Sequence, residues 1–181
     1  GVDIVNSSMG YNQFRDTSMS YTYRQMDGKT ALISQGASIA VDKGLFIVNA
    51  VGNDGNKAWR HLFAPADVAT VFSVGAVDSF LQTSSFSSRG PNALGRIKPD
   101  ITAQGSSTAY ATMTRYDVAL GEGTSYACPV MTGMIASLKS AFPSVNNKQL
   151  KQAIIKSAHQ ANKPDNNQGY GIPNFLDAYL S

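Results

Sequence analysis

Ser125 stands in LGEGTSYACPVMTG, residues 120 to 133, where a run of small residues leads straight into helical spacing. A serine hydroxyl becomes an effective nucleophile only when a base takes its proton, and the oxyanion formed on attack needs donors already in place. A helix start offers such donors, because its first N–H groups lack intrahelical acceptors and its dipole end is positive. Gly123 lets a substrate chain come close, and Thr124 and Ala127 add little bulk beside the hydroxyl. A serine at the same place can equally be a plain N-cap. Local pattern therefore leaves acyl transfer and capping both open.

The Gly-x-Ser-x-Gly arrangement of α/β-hydrolases does not account for it. Ala127 stands where the second glycine belongs, and no Asp or Glu occurs between Ser125 and His159, although those enzymes place an acid before their histidine.

The elements that must position Ser125 read as α/β. The apolar runs VDIV (2 to 5), LFIVNAVG (45 to 52) and VFSVGAV (71 to 77) predict strands buried on both faces of a parallel sheet. Between the first two, Leu32, Ile33, Ala37, Ala40 and Val41 recur at helical spacing over 30 to 43, and Gly44 ends the pattern. Strand, helix, strand is a right-handed crossover. A second helix is predicted from Ser125 to Ala141, with Met131, Met134, Ile135 and Leu138 on its core face and Pro143 beyond its end. A third runs over 147 to 158, with Asn146 as N-cap and Gln149 completing a capping box. A short last helix follows GYGIP (169 to 173), and STAYATM (107 to 113) alternates like one arm of a hairpin.

Composition narrows the function classes. A chain of 181 residues, 43% hydrophobic, can bury one core and gives no sign of two domains. The net charge of +3 comes from scattered Lys and Arg, without the basic stripe of a nucleic-acid binder. Cys128 is the single cysteine, which excludes an intrachain disulfide and a Cys/His zinc cluster. The apolar runs are too short for a membrane span. There is no signal peptide and no initiator Met, so the chain is expected to be cut or processed from something longer.

Four separated stretches together resemble the subtilisin-like serine proteases, the subtilases. GTSYACP (123 to 129) is similar to the family's serine motif, and NAVGNDG (49 to 55) to its oxyanion-hole segment. VFSVGAVD (71 to 78) with SFSSRGPNALGRIKPDITAQG (85 to 105) resembles the run joining those two, and DIVNSSMG (3 to 10) the strand that flanks substrate. The likeness spans nearly the whole chain and implies a subtilisin-like parallel sheet flanked by helices, incomplete for want of the N-terminal part of the domain. Residues 1 to 181 would then be the C-terminal portion of a single catalytic domain.

By this resemblance Ser125 attacks the scissile carbonyl, and Asn53 gives a side-chain N–H to the oxyanion beside the backbone N–H of Ser125. Ser8, Met9 and Gly10 match the strand that pairs with an extended substrate. Ala50, Val51 and Gly52 match the opposite wall of the primary specificity pocket, and Gly123 and Thr124 border the nucleophile. Recognition would be mostly main-chain strand addition, with an apolar preference suggested by Met9 and Val51. Two departures from the family stand out. Cys128 and Val130 occupy positions where Ser or Thr and His are common, and Cys128 reads as a small buried residue. WRHLFAPAD (59 to 67) replaces a small, glycine-containing pocket base, so an inward Phe63 or Trp59 would make the pocket shallower.

The family's Asp-(Ser/Thr)-Gly and His-Gly-Thr segments, which supply the orienting acid and the base, are not in this sequence. His61 and His159, the two histidines, match neither and read as surface or capping residues. The expected function is that of a serine endopeptidase whose isolated chain is inactive. The alternative is a degenerate subtilase fold that binds peptide or serves as a structural module. Implied partners are a polypeptide substrate and the N-terminal part of the same domain, with self-association through an exposed sheet edge also expected. The resemblance implies no cofactor; calcium, which some members bind, has no support in this chain, and no metal ligands are assigned. Secretion or a cell-envelope location is implied by the resemblance alone.

Overall fold

The computed structural model describes residues 1–114 and 117–180. Four strands form a parallel sheet in the spatial order β1 (Ile4–Ser7), β2 (Phe46–Ala50), β3 (Phe72–Val77) and β4 (Ile101–Gln104). A separate antiparallel hairpin pairs β5 (Thr108–Ala111) with β6 (Val118–Gly121). Helix α1 (Leu32–Asp42) makes the crossover from β1 to β2, and α2 (Thr124–Ala141), α3 (Asn147–Lys156) and α4 (Phe175–Leu180) follow the hairpin.

β2 and β3 are buried along their whole length, which is why they read as continuous apolar runs. Alternation along β2 divides its side chains between two layers. Phe46, Val48 and Ala50 join Phe72, Val74, Ala76 and Ile101 beneath Ala127, Met131, Ile135 and Leu138 of α2. Ile47 faces the other way and packs with Ala37, Val68 and Val71 under α1. Each large side chain so buried contributes about 1.5–3 kcal/mol relative to exposure. The two later crossovers, 51–71 and 78–100, contain no helix, and their irregular path wraps the carboxyl end of β2, where the candidate site lies.

Several elements depart from the sequence reading. β1 lies two residues later than the VDIV run and is only half-buried, being an outer strand of the sheet. β4 and β6 carried no strand signal. In α1, Leu32 is 75% exposed, while Ser34 turns inward and donates a 2.6 Å hydrogen bond to the buried carboxylate of Asp67. In α2, Met134 is 43% exposed, and Thr124, Ala127 and Cys128 complete the buried face instead. The third helix keeps the predicted cap: Asn146 accepts from the Gln149 N–H at 2.9 Å, and Gln149 Oε1 accepts in return from Asn146 N–H at 3.2 Å.

Candidate active site

β2 ends at Ala50 and the chain turns sharply at Gly52, whose φ of 108° is open to glycine and strained for other residues. The turn brings Asn53 against the start of α2. Asn53 Oδ1 accepts from the Thr124 N–H at 2.8 Å and from the Thr124 hydroxyl at 2.9 Å, while Thr124 Oγ1 accepts from Gly52 N–H at 3.3 Å. Both bonds to Asn53 use its oxygen. The amide nitrogen is therefore the end left to meet a ligand.

Gly123, with φ 146°, is the N-cap of α2 and provides no side-chain cap. Ser125 is accordingly the second residue of the helix and not its cap. Its hydroxyl has no hydrogen-bond partner among the described residues. The first-turn N–H groups lack intrahelical acceptors; Asn53 takes that of Thr124, and Gly123 O takes that of Tyr126 at 3.0 Å. The Ser125 N–H stays open beside the free amide of Asn53.

Pro129 has no N–H to give the Ser125 carbonyl four residues earlier. The Ser8 hydroxyl donates to that carbonyl instead, at 3.3 Å. The same seam between β1 and α2 carries the Cys128 thiol, which donates to Ser7 O at 3.6 Å. Burial pushes the Cys128 pKa up to about 12, so this thiol is a packed, unreactive group. Asn49, fully buried at the end of β2, donates through Nδ2 to Met9 O at 3.2 Å and so ties the 8–10 segment to the sheet. The sequence reading assigned Asn49 no role, since a polar residue inside an apolar run gives no sign of its partner.

Ser8, Met9, Gly10, Ala50, Gly52, Asn53, Thr124 and Ser125 line one cavity of about 140 Å³, together with Asp54 and Phe63. Gly123, the N-cap of α2, does not line it, and Val51 is the other exception among the residues suggested by sequence. Its side chain turns away into a buried cluster with Leu62 and Ala66, and only its carbonyl takes part, accepting from Phe63 N–H at 3.0 Å. Trp59 also points elsewhere, packing near Met26, Ala31 and Ala64. Asp54 pairs with Lys57 at 2.6 Å, which offsets its charge at the cavity.

No histidine lines this cavity. His61 stacks on Tyr23 with ring centroids 3.9 Å apart, and burial, helped by the neighbouring Arg60 charge, lowers its pKa. His159 Nδ1 accepts from Ile172 N–H at 2.9 Å, fastening a C-terminal turn. Among the described residues, no group of three or more His, Cys, Asp or Glu could hold a metal ion. None of the helices described is long and apolar enough to cross a membrane.

The fold is an α/β domain with a serine in the first turn of a helix beside a cleft. The chain belongs to the subtilase family (Peptidase_S8), whose model matches residues 1–171. It is 34% identical over 148 residues to Subtilisin-like protease SBT6.1 of Arabidopsis thaliana, covering 75% of this chain and 14% of that protein. To the Thermostable alkaline protease of Halalkalibacterium halodurans it is 36% identical over 126 residues, which is 69% of this chain and 32% of the relative. Among solved structures, the Prenylagaramide maturation protease PagA superposes with a TM-score of 0.73 at 26% identity, covering 100% of this chain and 62% of that one. The chain thus spans only part of the length of the proteins it matches.

Proposed function

We propose that residues 1–181 are the C-terminal portion of a subtilisin-type serine endopeptidase domain, with Ser125 as nucleophile and Asn53 as oxyanion donor. The observation that carries this reading is the Thr124 clamp on Asn53 Oδ1, which turns the amide N–H outward beside the open N–H of Ser125. Ser125 Oγ attacks the scissile carbonyl carbon, and the negative charge develops on the carbonyl oxygen between these two donors. The serine proton passes to a general base and then to the departing amine. Water hydrolyses the resulting ester by the same route in reverse. The Ser8–Gly10 segment pairs with the extended substrate by strand addition.

The base is the group this chain does not supply. We place it, with its orienting acid, on the N-terminal part of the same catalytic domain, seated along the outer strand β1. By analogy with the family, the intact protein works outside the cytoplasm, secreted or in the cell envelope.

The test compares the isolated chain with the product of its intact reading frame. The chain alone is expected to hydrolyse fluorogenic peptides only at the residual rate that binding and the oxyanion donors give, while the intact product shows serine-inhibitor-sensitive turnover. An inert intact product that still binds peptide would favour a non-catalytic peptide-binding subtilase fold. In the active protein, Asn53→Ala is expected to lower kcat by roughly 10²–10³ with little change in KM, because the lost donor acts on the transition state. That magnitude itself comes from a subtilisin. A variant within a factor of about 3 of wild type would remove Asn53 from the oxyanion site.

A further inference from the structure

We propose that Phe63 is the floor of the substrate pocket and restricts the residue on the acyl side of the scissile bond, P1, to glycine, alanine or serine. The inference rests on the proteolytic reading of the site and adds a substrate class to it.

Phe63 is held from both walls. On one side its N–H donates to Val51 O at 3.0 Å, and on the other the neighbouring Ala64 O accepts from Tyr11 N–H at 3.0 Å. The side chain then fills the gap between the walls. A Cβ added to Gly10 would lie 2.9 Å from Phe63 Cβ, and one added to Gly52 would lie 2.7 Å from Phe63 Cδ2. Contacts this close leave no space between the ring and either backbone, so a P1 side chain cannot pass beside it. The adjacent Leu62 points the opposite way and is fully buried with Val51 and Ala66, which fixes the alternation that sends Phe63 into the cavity.

Volume points the same way. The cavity of about 140 Å³ runs from Ser125 and Asn53 at its reacting end to Phe63. It has to take the P1 carbonyl as well as the P1 side chain. An engineered apolar cavity of about 150 Å³ holds a single benzene, so an aromatic P1 with its reacting carbonyl exceeds the space here. Met9, the other large apolar side chain at the cavity, is 54% exposed at the rim and adds no depth. With Val51 turned away and Met9 at the rim, the apolar preference suggested by those two residues gives way to a preference for small side chains.

The experiment measures kcat/KM of the intact protein on one peptide series differing only at P1, with Gly, Ala, Ser, Leu and Phe. Alanine is expected to exceed phenylalanine by about 100-fold or more, because the Phe63 ring occupies the space a large P1 side chain would need. Phe63→Ala should shift the Phe-to-Ala ratio by at least about 10-fold toward phenylalanine, and Phe63→Leu by less. A ratio measured on one preparation does not depend on the fraction of variant that folds. An active wild type that prefers Phe or Leu, or a ratio unchanged in both variants, overturns the proposal. Should the intact protein cleave no peptide at all, the proteolytic reading fails, and the pocket is judged by binding. NMR titration of this chain with otherwise identical peptides ending in alanine or phenylalanine must then favour alanine; equal or tighter binding of the phenylalanine peptide overturns the floor assignment independently.

Discussion

Replacing Ser125 by alanine is expected to lower kcat of the intact protein on the order of 10⁶-fold while leaving its stability unchanged. The magnitude was measured on a subtilisin, a member of the same family. Both halves of the expectation come from one piece of geometry. A capping serine contributes about 0.5–2 kcal/mol through its hydroxyl. Here the cap is Gly123, Ser125 is one residue further into the helix, and its hydroxyl has no hydrogen-bond partner among the described residues. Removing one unpaired oxygen from a half-exposed position changes stability by no more than about 0.5 kcal/mol. Paired measurements of single-turnover rate and denaturant midpoint separate the two roles. A stability loss of about 1 kcal/mol or more would mean that the hydroxyl is structural, and undiminished turnover would mean that another group attacks.

Ser125 stands out in the sequence as a candidate nucleophile because the features that mark it are local: small neighbours, a helix start and a motif only a few residues long. The same holds for β2 and β3, whose burial on both faces leaves an unbroken apolar run, and for the Asn146 and Gln149 cap. What sequence could not show depends on residues far along the chain. Ser34 faces inward on α1 and gives its hydroxyl to the buried Asp67 carboxylate while Leu32 is exposed, and that partner lies outside the helical pattern. β4 reads as ITAQ, with buried Thr102 between Ile101 and Ala103, and its neighbour in the sheet is what makes it a strand. The inward turn of Phe63 depends on two glycines, Gly10 and Gly52, that leave room for a ring between their backbones. Position in a motif puts Val51 on the pocket wall, yet its side chain packs the other way with Leu62 and Ala66.

The ion network behind the sheet gives the second large effect. Asp100→Asn is expected to destabilise the protein by about 3–5 kcal/mol at pH 6, a large share of the roughly 5–15 kcal/mol that holds a domain folded. Asp100 Oδ2 accepts from Lys98 Nζ at 2.8 Å and from the N–H and hydroxyl of Ser73 at 2.8 and 2.7 Å, while Oδ1 pairs with Lys151 at 2.8 Å. Lys98 is fully buried, and its remaining acceptor is Val71 O at 2.9 Å. Burial outweighs the attraction of Asp100 and lowers the Lys98 pKa to about 8, from 10.5. Between those values the native state binds fewer protons than the unfolded chain, so this group adds stability as pH rises through the window. Asp100 behaves in the opposite sense at the acid end. Burial would raise its carboxyl pKa, but the Lys151 and Lys98 ammonium groups more than reverse this and hold it well below the usual carboxylate range. Its contribution is complete above the unfolded value near 3.8 and is lost as pH falls below that toward the folded value. In Asp100→Asn the acid-side loss disappears, and Lys98, deprived of its counter-ion, sheds its proton at lower pH than in the wild type. The stability gap between variant and wild type should therefore narrow as pH rises toward 8. Adding Lys98→Met to Asp100→Asn removes the stranded charge and should recover much of the loss, since no unpaired buried ammonium then remains. Urea titrations of wild type, single and double variants across this range decide the matter. A double variant no more stable than Asp100→Asn would show that the loss comes from the Ser73 and Lys151 bonds and not from an unpaired ammonium.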